Sequence, residues 1–386
     1  MEITQTIRLN AGQIETAAIG RRFALYGRLN GTIVMTDDLG MAVLRAIQKD
    51  SDKDLIAKAI LDFSHEGFKP SHEEAAQIGR AIVEDWHHAG LFDGQPRDFP
   101  RPAGRQGKVI KWQLDYASPY GSFRVHTDDA HLAKELDIIL ASFREASPQT
   151  SGRDVFHCTT NHDGALEVFY DGTPIWSRTD RDEARFLLLK EAAQSLSGHS
   201  RVGAVLHGAA VRAPNGGVLI FIGESGSGKS TLSLGLVANG WTLLADDHIP
   251  ISADGTSLIA FPTATAVKPG SMDLDETLRL RETYGMEESA REGVSYLTLP
   301  QAADGGTELP VTAVVSPKFG SDLAFELDAL TPEDAFFACV GSGARPCRQD
   351  PHISALAGLC NDVPAYSLEF QTSDQSWQAC LGLVDS

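Results

Sequence analysis

The stretch Val218-Leu219-Ile220-Phe221-Ile222-Gly223-Glu224-Ser225-Gly226-Ser227-Gly228-Lys229-Ser230-Thr231 decides the fold. Its first five residues are an unbroken apolar run, as a strand buried on both faces requires. Beyond it, Leu232, Leu234, Leu236 and Val237 open a helical pattern that stops at Gly240. Between strand and helix lies GxxxxGK[ST], the Walker A spacing, in the setting that gives it meaning. The glycines let backbone N–H groups turn inward around phosphate oxygens, and the helix N-terminus adds its positive end. Lys229 brings a point charge to the outer phosphates of a nucleotide, and Ser230 brings a hydroxyl for Mg²⁺. The predicted cradle is Gly223, Glu224, Ser225, Gly226, Ser227, Gly228, Lys229, Ser230 and Thr231.

The next strand is predicted over Trp241–Ala245 and delivers Asp246-Asp247 at its carboxyl end. In an α/β sheet that edge is the ligand side. One carboxylate suits Mg²⁺ and the other suits the proton of an attacking hydroxyl. We assign Ser230 and Asp246 as metal candidates, and Asp246 and Asp247 both remain candidate bases. Upstream, Leu206-His207-Gly208 precedes a strand over Ala209–Val211; a lone histidine in such a place is more often structural. Downstream, Lys268-Pro269-Gly270 closes a strand-like Thr263–Val267, and by itself Lys268 reads as a surface lysine.

Together these segments, from Leu206-His207-Gly208 through the loop and Gly240-Trp241 to Asp246-Asp247, resemble the HPr kinase/phosphorylase family. The branch found beside peptide-modifying enzymes, lasso-peptide kinases included, is more similar still. The resemblance is dense over residues 205–270 and looser over the rest of 111–386. It implies a phosphoenolpyruvate-carboxykinase-like α/β P-loop core that uses ATP and Mg²⁺ to phosphorylate a serine hydroxyl. It also implies that His207 sits beside the transferred group and that Lys268 contacts phosphate. Two departures point away from the reverse, phosphorylase reaction and from that family's hexamer. Thr231 stands where the bifunctional enzymes carry Glu, and no Pro-Gly-Arg-Asn follows, the nearest segments being Lys268-Pro269-Gly270 and Pro317-Lys318-Phe319-Gly320.

Working toward the N-terminus, residues 94–110 are rich in Pro and Gly and poor in apolar side chains, so we read them as a flexible linker. The cut leaves a unit of residues 1–93 and a catalytic domain of residues 111–386. In the first, Phe23–Met35 reads as a hairpin turning at Asn30-Gly31. Three helices are predicted after it: one capped by Asp37 or Asp38, one over Leu55–Phe63, and one opened by a Ser71/Glu74 capping box. The third helix is predicted to turn Ala75, Ile78, Ile82 and Trp86 inward. This small α+β, winged-helix-like unit is similar to the PqqD-like leader-peptide recognition family. The similarity rests on the strand carrying Leu29-Asn30, the helix after Thr36 and the closing Ala81–Phe92. It implies that a precursor peptide's leader adds as a strand beside Tyr26–Met35, against the helix face near Ile78–Trp86.

Composition narrows the setting. A formal net charge of −19 disfavours nucleic acid or an anionic membrane as a partner of the whole surface. Five cysteines with no CxxC spacing suit a reducing compartment, and the first residues lack a signal-peptide pattern, so a cytoplasmic setting is expected. The expected activity is a leader-guided peptide serine kinase. The rival readings are a kinase of free serine or another small metabolite, and an ATP-switched protein that presents a precursor to partner enzymes. A homo-oligomer is compatible with all three. Glu276–Glu292 reads as a solvated helix or, in a kinase, as a lid over the peptide.

Overall fold

The apolar run at 218–222 lies inside a six-stranded sheet and is wholly buried, with its side chains divided between two cores. Val218, Ile220 and Ile222 pack into one, Leu219 and Phe221 into the other. The alternation explains why the run is apolar at every position: the sheet is covered on both faces. In the computed structural model, residues 5–49, 53–94, 110–144, 153–289, 291, 293–300 and 305–385 are described.

The chain opens with α1 (Gln5–Ala11), β1 (Ile14–Ile19), β2 (Arg22–Gly27), β3 (Ile33–Thr36), α2 (Asp38–Lys49), α3 (Lys53–Asp62) and α4 (His72–His88). There follow β4 (Trp112–Ala117), β5 (Ser122–Thr127), α5 (Ala130–Ile139), β6 (Arg153–Thr160), β7 (Leu166–Tyr170), β8 (Thr173–Thr179) and α6 (Arg181–Ser197). The central part is β9 (Val202–Leu206), β10 (Gly208–Arg212), β11 (Val218–Ile222), α7 (Lys229–Ala238), β12 (Thr242–Asp246) and β13 (Ile249–Ser252). Next come β14 (Ser257–Ile259), β15 (Thr265–Val267), α8 (Pro269–Met272), α9 (Asp275–Tyr284), β16 (Glu287–Glu288), β17 (Ser295–Leu297) and β18 (Glu308–Pro310). The chain closes with β19 (Ala313–Phe319), β20 (Glu326–Ala329), α10 (Pro332–Gly341), β21 (Arg345–Pro346), α11 (Ser354–Asp362), β22 (Ala365–Phe370) and α12 (Ser373–Asp385).

The architecture is mixed α/β. The six-stranded sheet runs β12-β10-β11-β19-β22-β20. β11, β19 and β22 are mutually parallel, and β10 is antiparallel to both β11 and β12. β12 therefore points the same way as β11, and the carboxyl ends of β11, β12, β19 and β22 share one edge. A five-stranded sheet, β18-β14-β13-β9-β21, lies in continuity with it through the β9–β10 and β12–β13 connections. On the other face α7 packs with α12, where the indole of Trp377 crosses α7 at Gly235 and a methyl group there would lie 2.9 Å from Nε1. Among the described residues no helix is long and apolar enough to cross a membrane. The five cysteines are buried free thiols.

Several local expectations change in detail. Trp241 is not in β12: its N–H donates to Leu236 O (3.1 Å), closing α7, and the strand begins at Thr242. Asn30-Gly31 does not form a two-residue hairpin turn. Residues 28–32 connect β2 to β3, and the Asn30 amide donates instead to Gly90 O (2.6 Å) and Asp93 O (2.9 Å), tying the loop to the end of α4. The Ser71/Glu74 capping box is present, but α4 buries Ala75, Gly79, Val83 and Trp86, leaving Ile78 and Ile82 only partly covered. Gly79 is inward because Ile56 and Ile60 of α3 occupy the space a side chain would need.

Residues 7–92 have a core of their own between the three-stranded sheet and its helices. The other face of that sheet is also covered: Ile19, Ala24 and Tyr26 belong to the large core formed by residues of 116–365. The β1–β2 corner is pinned there. Asn361 of α11 accepts from Gly20 N–H (2.9 Å) and donates to Ala18 O (2.9 Å), while Glu333 of α10 accepts from Arg21 N–H (2.6 Å). The three-stranded sheet is thus docked on α10 and α11. Of the predicted linker, residues 95–109 lie outside the described residues.

Candidate functional site

The loop between β11 and α7 owes its shape to three glycines in the left-handed half of conformational space, Gly223 (φ 140°), Gly226 (φ 87°) and Gly228 (φ 100°). Gly228 is hemmed in as well, since a Cβ there would lie 3.3 Å from Phe319 Cβ. Glu224, Ser225 and Gly226 are exposed at the tip, and Ser230 and Thr231 are half-buried. Lys229 folds back over the loop, its Nζ donating to Gly223 O (2.6 Å) and Glu224 O (2.8 Å). Burial lowers its pKa; the carboxylate of Asp247 works against that, Lys268 adds to it, and Asp246 opposes it. Ser227 Oγ is buried with no partner among the described residues. Thr231 Oγ1 lies 3.0 Å from Ser271 Oγ, which ties α7 to the segment begun by Lys268.

Beside the loop the chain crosses between the two large sheets twice. His207 stands at one crossing, between β9 and β10, and Asp247-His248 at the other, between β12 and β13. Asp247 has φ 62°, and His248 N–H donates to Asp246 O (2.8 Å). This is a γ-turn of the rare, strained hand. Such a conformation at a non-glycine residue costs about 1–3 kcal/mol and persists only where its surroundings enforce it. Here the Asp247 carbonyl is fixed by Gly208 N–H (3.4 Å) and by His207 Nδ1 (2.9 Å). A carbonyl only accepts, so the His207 proton sits on Nδ1 and, in the neutral ring, Nε2 keeps its lone pair.

The two aspartates differ sharply. Asp246 is buried, and desolvation followed by the neighbouring Asp247 charge raises its pKa well above the ordinary carboxylate range. Asp247 is half-buried at the cleft. His248 cannot neutralise the pair, because burial pushes its imidazole down to about 3. The ring of Phe186, on α6, packs on both His207 (5.3 Å) and His248 (4.6 Å) and closes the crossing from one side.

Lys229, Lys268, Asp246 and Asp247 are thus close enough to act on one another electrostatically, and His207 is bonded to the Asp247 backbone. Ser230 and Asp246 bring hard oxygen donors to this edge, the donor type that would suit Mg²⁺. Sequence reasoning missed Phe186, His248 and Phe319. Phe319, at the end of β19, donates its N–H to Ser227 O (3.2 Å), yet its side chain is 55% exposed beside the loop, with Phe370 at 5.6 Å. It belongs to the Pro317–Gly320 segment, where composition alone gave no signal.

No protein-family model matches the chain, and no curated protein does. Among solved structures it is similar to "Structure of the Hpr(Ser) kinase/phosphatase from Coxiella burnetii", at 12% identity over 46% of this chain and 97% of that one, with a TM-score of 0.23. A match at that level decides neither fold nor activity, and both rest on the chain's own residues.

Proposed function

We propose that the chain is an ATP-dependent kinase that phosphorylates a hydroxyl, such as that of serine, in a ribosomally made precursor peptide held by its leader. The observation that carries this reading is the convergence, at one sheet edge, of the glycine loop with Lys229 and a strained turn bearing Asp247. Lys229 leaves its carbonyl partners for the outer phosphates, and Lys268 adds charge at the same edge. Ser230 and Asp246 would hold Mg²⁺, which would offset the negative charge of the phosphates. The γ-phosphorus bond to the bridging oxygen breaks as the acceptor oxygen bonds to phosphorus, and Asp247 takes the hydroxyl proton. His207 holds Asp247 in its turn through Nδ1. The carboxyl-edge placement of the glycine loop and of Asp246 and Asp247 supports phosphoryl transfer over simple phosphate binding.

The N-terminal unit is the proposed winged-helix-like, PqqD-like leader site. β1 is pinned to α11, whereas β3 is the sheet's other edge, with all four residues half-buried and with no strand paired to its far side among the described residues. A leader strand added there gains main-chain hydrogen bonds and meets Ile78 and Ile82 on α4. The test uses the whole protein, MgATP and the small peptides encoded beside its gene, read by intact mass. Gain of one phosphoryl group, dependent on the leader and lost in Asp247→Asn, supports the proposal. Turnover of free serine without peptide points to the small-metabolite kinase, and ATP hydrolysis without transfer to a presenting protein.

A further inference from the structure

A cleft of about 480 Å³ opens between the start of α6 and the residues Arg291 and Val294 that precede β17. Both of its walls lead back to the carboxyl edge. On one, Arg185 is followed by Phe186, whose ring packs on His207 and His248. On the other, Val294 leads into β17, which pairs with β15 as far as Val267, the residue before Lys268. Gly293 lies against the same segment, and a Cβ there would be 3.1 Å from Pro269 Cγ.

The charged groups along this cleft are unequally matched. Glu135 is buried and accepts from Ser289 Oγ (2.6 Å) and the Tyr296 hydroxyl (2.7 Å). Arg181 is held by Asp129 (2.8 Å), and Asp180 is turned to α6, where it accepts from Glu183 N–H (2.8 Å). Arg185 and Arg291 are less well served. Arg185 reaches the Tyr296 hydroxyl (3.3 Å), Glu135 (3.4 Å) and Asp182 Oδ1 (3.7 Å), all through Nη1. Arg291 reaches the same Asp182 oxygen (3.0 Å) through Nε. Among the described residues, Nε and Nη2 of Arg185 and both Nη atoms of Arg291 make no hydrogen bond. Two guanidinium groups thus converge on one oxygen of one carboxylate.

A guanidinium offers a planar fork of donors that fits a carboxylate or a phosphate with two parallel bonds. Asp182 gives neither arginine that match. Its side chain is 56% exposed, and an ion pair so open to water contributes little, so an incoming anion can displace it. We infer that Arg185 and Arg291 form an anion subsite in which Asp182 is an internal stand-in for the ligand, and that the acceptor presents a carboxylate or a phosphate group there. The subsite stands on its own geometry; its assignment to the acceptor rests on the kinase reading. It adds a chemical requirement to that reading, namely an acidic group in the substrate on the α6 side of the acceptor hydroxyl. It also makes Asp182 a competitor, whose removal should tighten binding.

The test reads the subsite and the reaction separately. In the full chain, arginine modification by phenylglyoxal is followed by peptide mass spectrometry at constant ionic strength, with chloride, malonate or inorganic phosphate, and with exposed Arg80 as internal control. Malonate or phosphate should slow modification of Arg291 several-fold relative to chloride and leave Arg80 unchanged. The protection should survive Lys229→Met, which disables the phosphate loop, and vanish in Arg185→Gln. Asp182→Asn changes only an exposed side chain and supplies the deciding sign: half-protection should move to a several-fold lower anion concentration. Protection by malonate identifies a carboxylate ligand, and protection by phosphate alone a phosphate group. Equal labelling of Arg291 with all three anions, in the wild type and in Asp182→Asn, overturns the subsite; protection with the same midpoint in both overturns the stand-in role. In the phosphotransfer assay Asp182→Asn should lower the acceptor KM several-fold and Arg291→Gln should raise it, with the ATP KM unchanged in each. A protein that transfers no phosphoryl group removes the kinase reading while the labelling result stands.

Discussion

The proposed phosphate side and the proposed acceptor side of this cleft are built in opposite ways. On the phosphate side, one contiguous segment, 218–231, makes strand, loop and helix, and the acidic pair follows within a single helix and strand. On the acceptor side, Phe186, His207 and His248 arrive from α6 and from two separate connections, β9–β10 and β12–β13. A local motif fixes its own geometry, because its backbone conformation is written in its glycines. A site assembled over long sequence distances depends on docking, and each of its members looks unremarkable alone. The contrast predicts that substitutions on the phosphate side abolish chemistry, whereas those on the acceptor side change selectivity.

The largest effects are therefore expected at Lys229 and Asp247. Lys229→Met and Asp247→Asn should each lower kcat by about 10²–10⁴-fold, the range for losing a positioned catalytic group, with circular dichroism unchanged. Asp247→Gly sharpens the point. It removes the carboxylate and relieves the positive φ, so it should be as inactive as Asp247→Asn yet gain stability, by about 1 kcal/mol in thermal unfolding. An active Asp247→Gly would show that the turn, not the carboxylate, matters.

Next in size is a stability effect at Asp246. Its folded pKa is raised, first by desolvation and then by Asp247. The folded state therefore holds a proton that the unfolded chain has already lost above the ordinary aspartate value of about 3.9. Stability without ligand falls as pH rises from there toward the raised value, and is level beyond it. Asp246→Asn escapes this loss, so its advantage over wild type in urea unfolding should grow across that window. A pH-independent difference would mean that Asp246 is ionised in the folded protein.

Much of the phosphate side was legible for a physical reason. The run 218–222 and the GxxxxGK[ST] spacing, like the cap at Ser71 in the N-terminal unit, are short-range patterns whose geometry follows from a few residues. Trp241 was misplaced because an apolar residue before a strand reads as part of it, whereas its N–H was needed to close α7. The hairpin turning at Asn30-Gly31 is present, but its longer loop was not legible because the Asn30 amide is used 60 and 63 residues away, at Gly90 and Asp93. Lys190 and Phe186 sit on a helix buried almost all round, where no single face stands out in the sequence. The docking of the N-terminal sheet was invisible for the same reason: it rests on Asn361 and Glu333, more than 300 residues from their partners.

A smaller effect is expected at Phe319, which extends the phosphate side toward the ligand's base. An exposed aromatic ring tethered to the loop, at the carboxyl end of a strand parallel to β11, is placed to stack on a nucleobase. Phe319→Ala should weaken ATP about 5–100-fold, the range of base–aromatic stacking, and leave tripolyphosphate binding unchanged in calorimetry. Equal loss for both ligands would instead mean that Phe319 supports the loop through Ser227.

The smallest effect tests the docking of the N-terminal sheet. The Asn361 amide satisfies two backbone groups at the β1–β2 corner, and a hydrogen bond of this kind contributes about 1 kcal/mol net. Asn361→Ala should leave ATP binding intact and speed hydrogen exchange at Gly20 and Arg21, roughly five-fold or more for each kcal/mol lost. Unchanged exchange would show that Ile19 and Ala24, packed in the shared core, hold the sheet in place without the corner's hydrogen bonds.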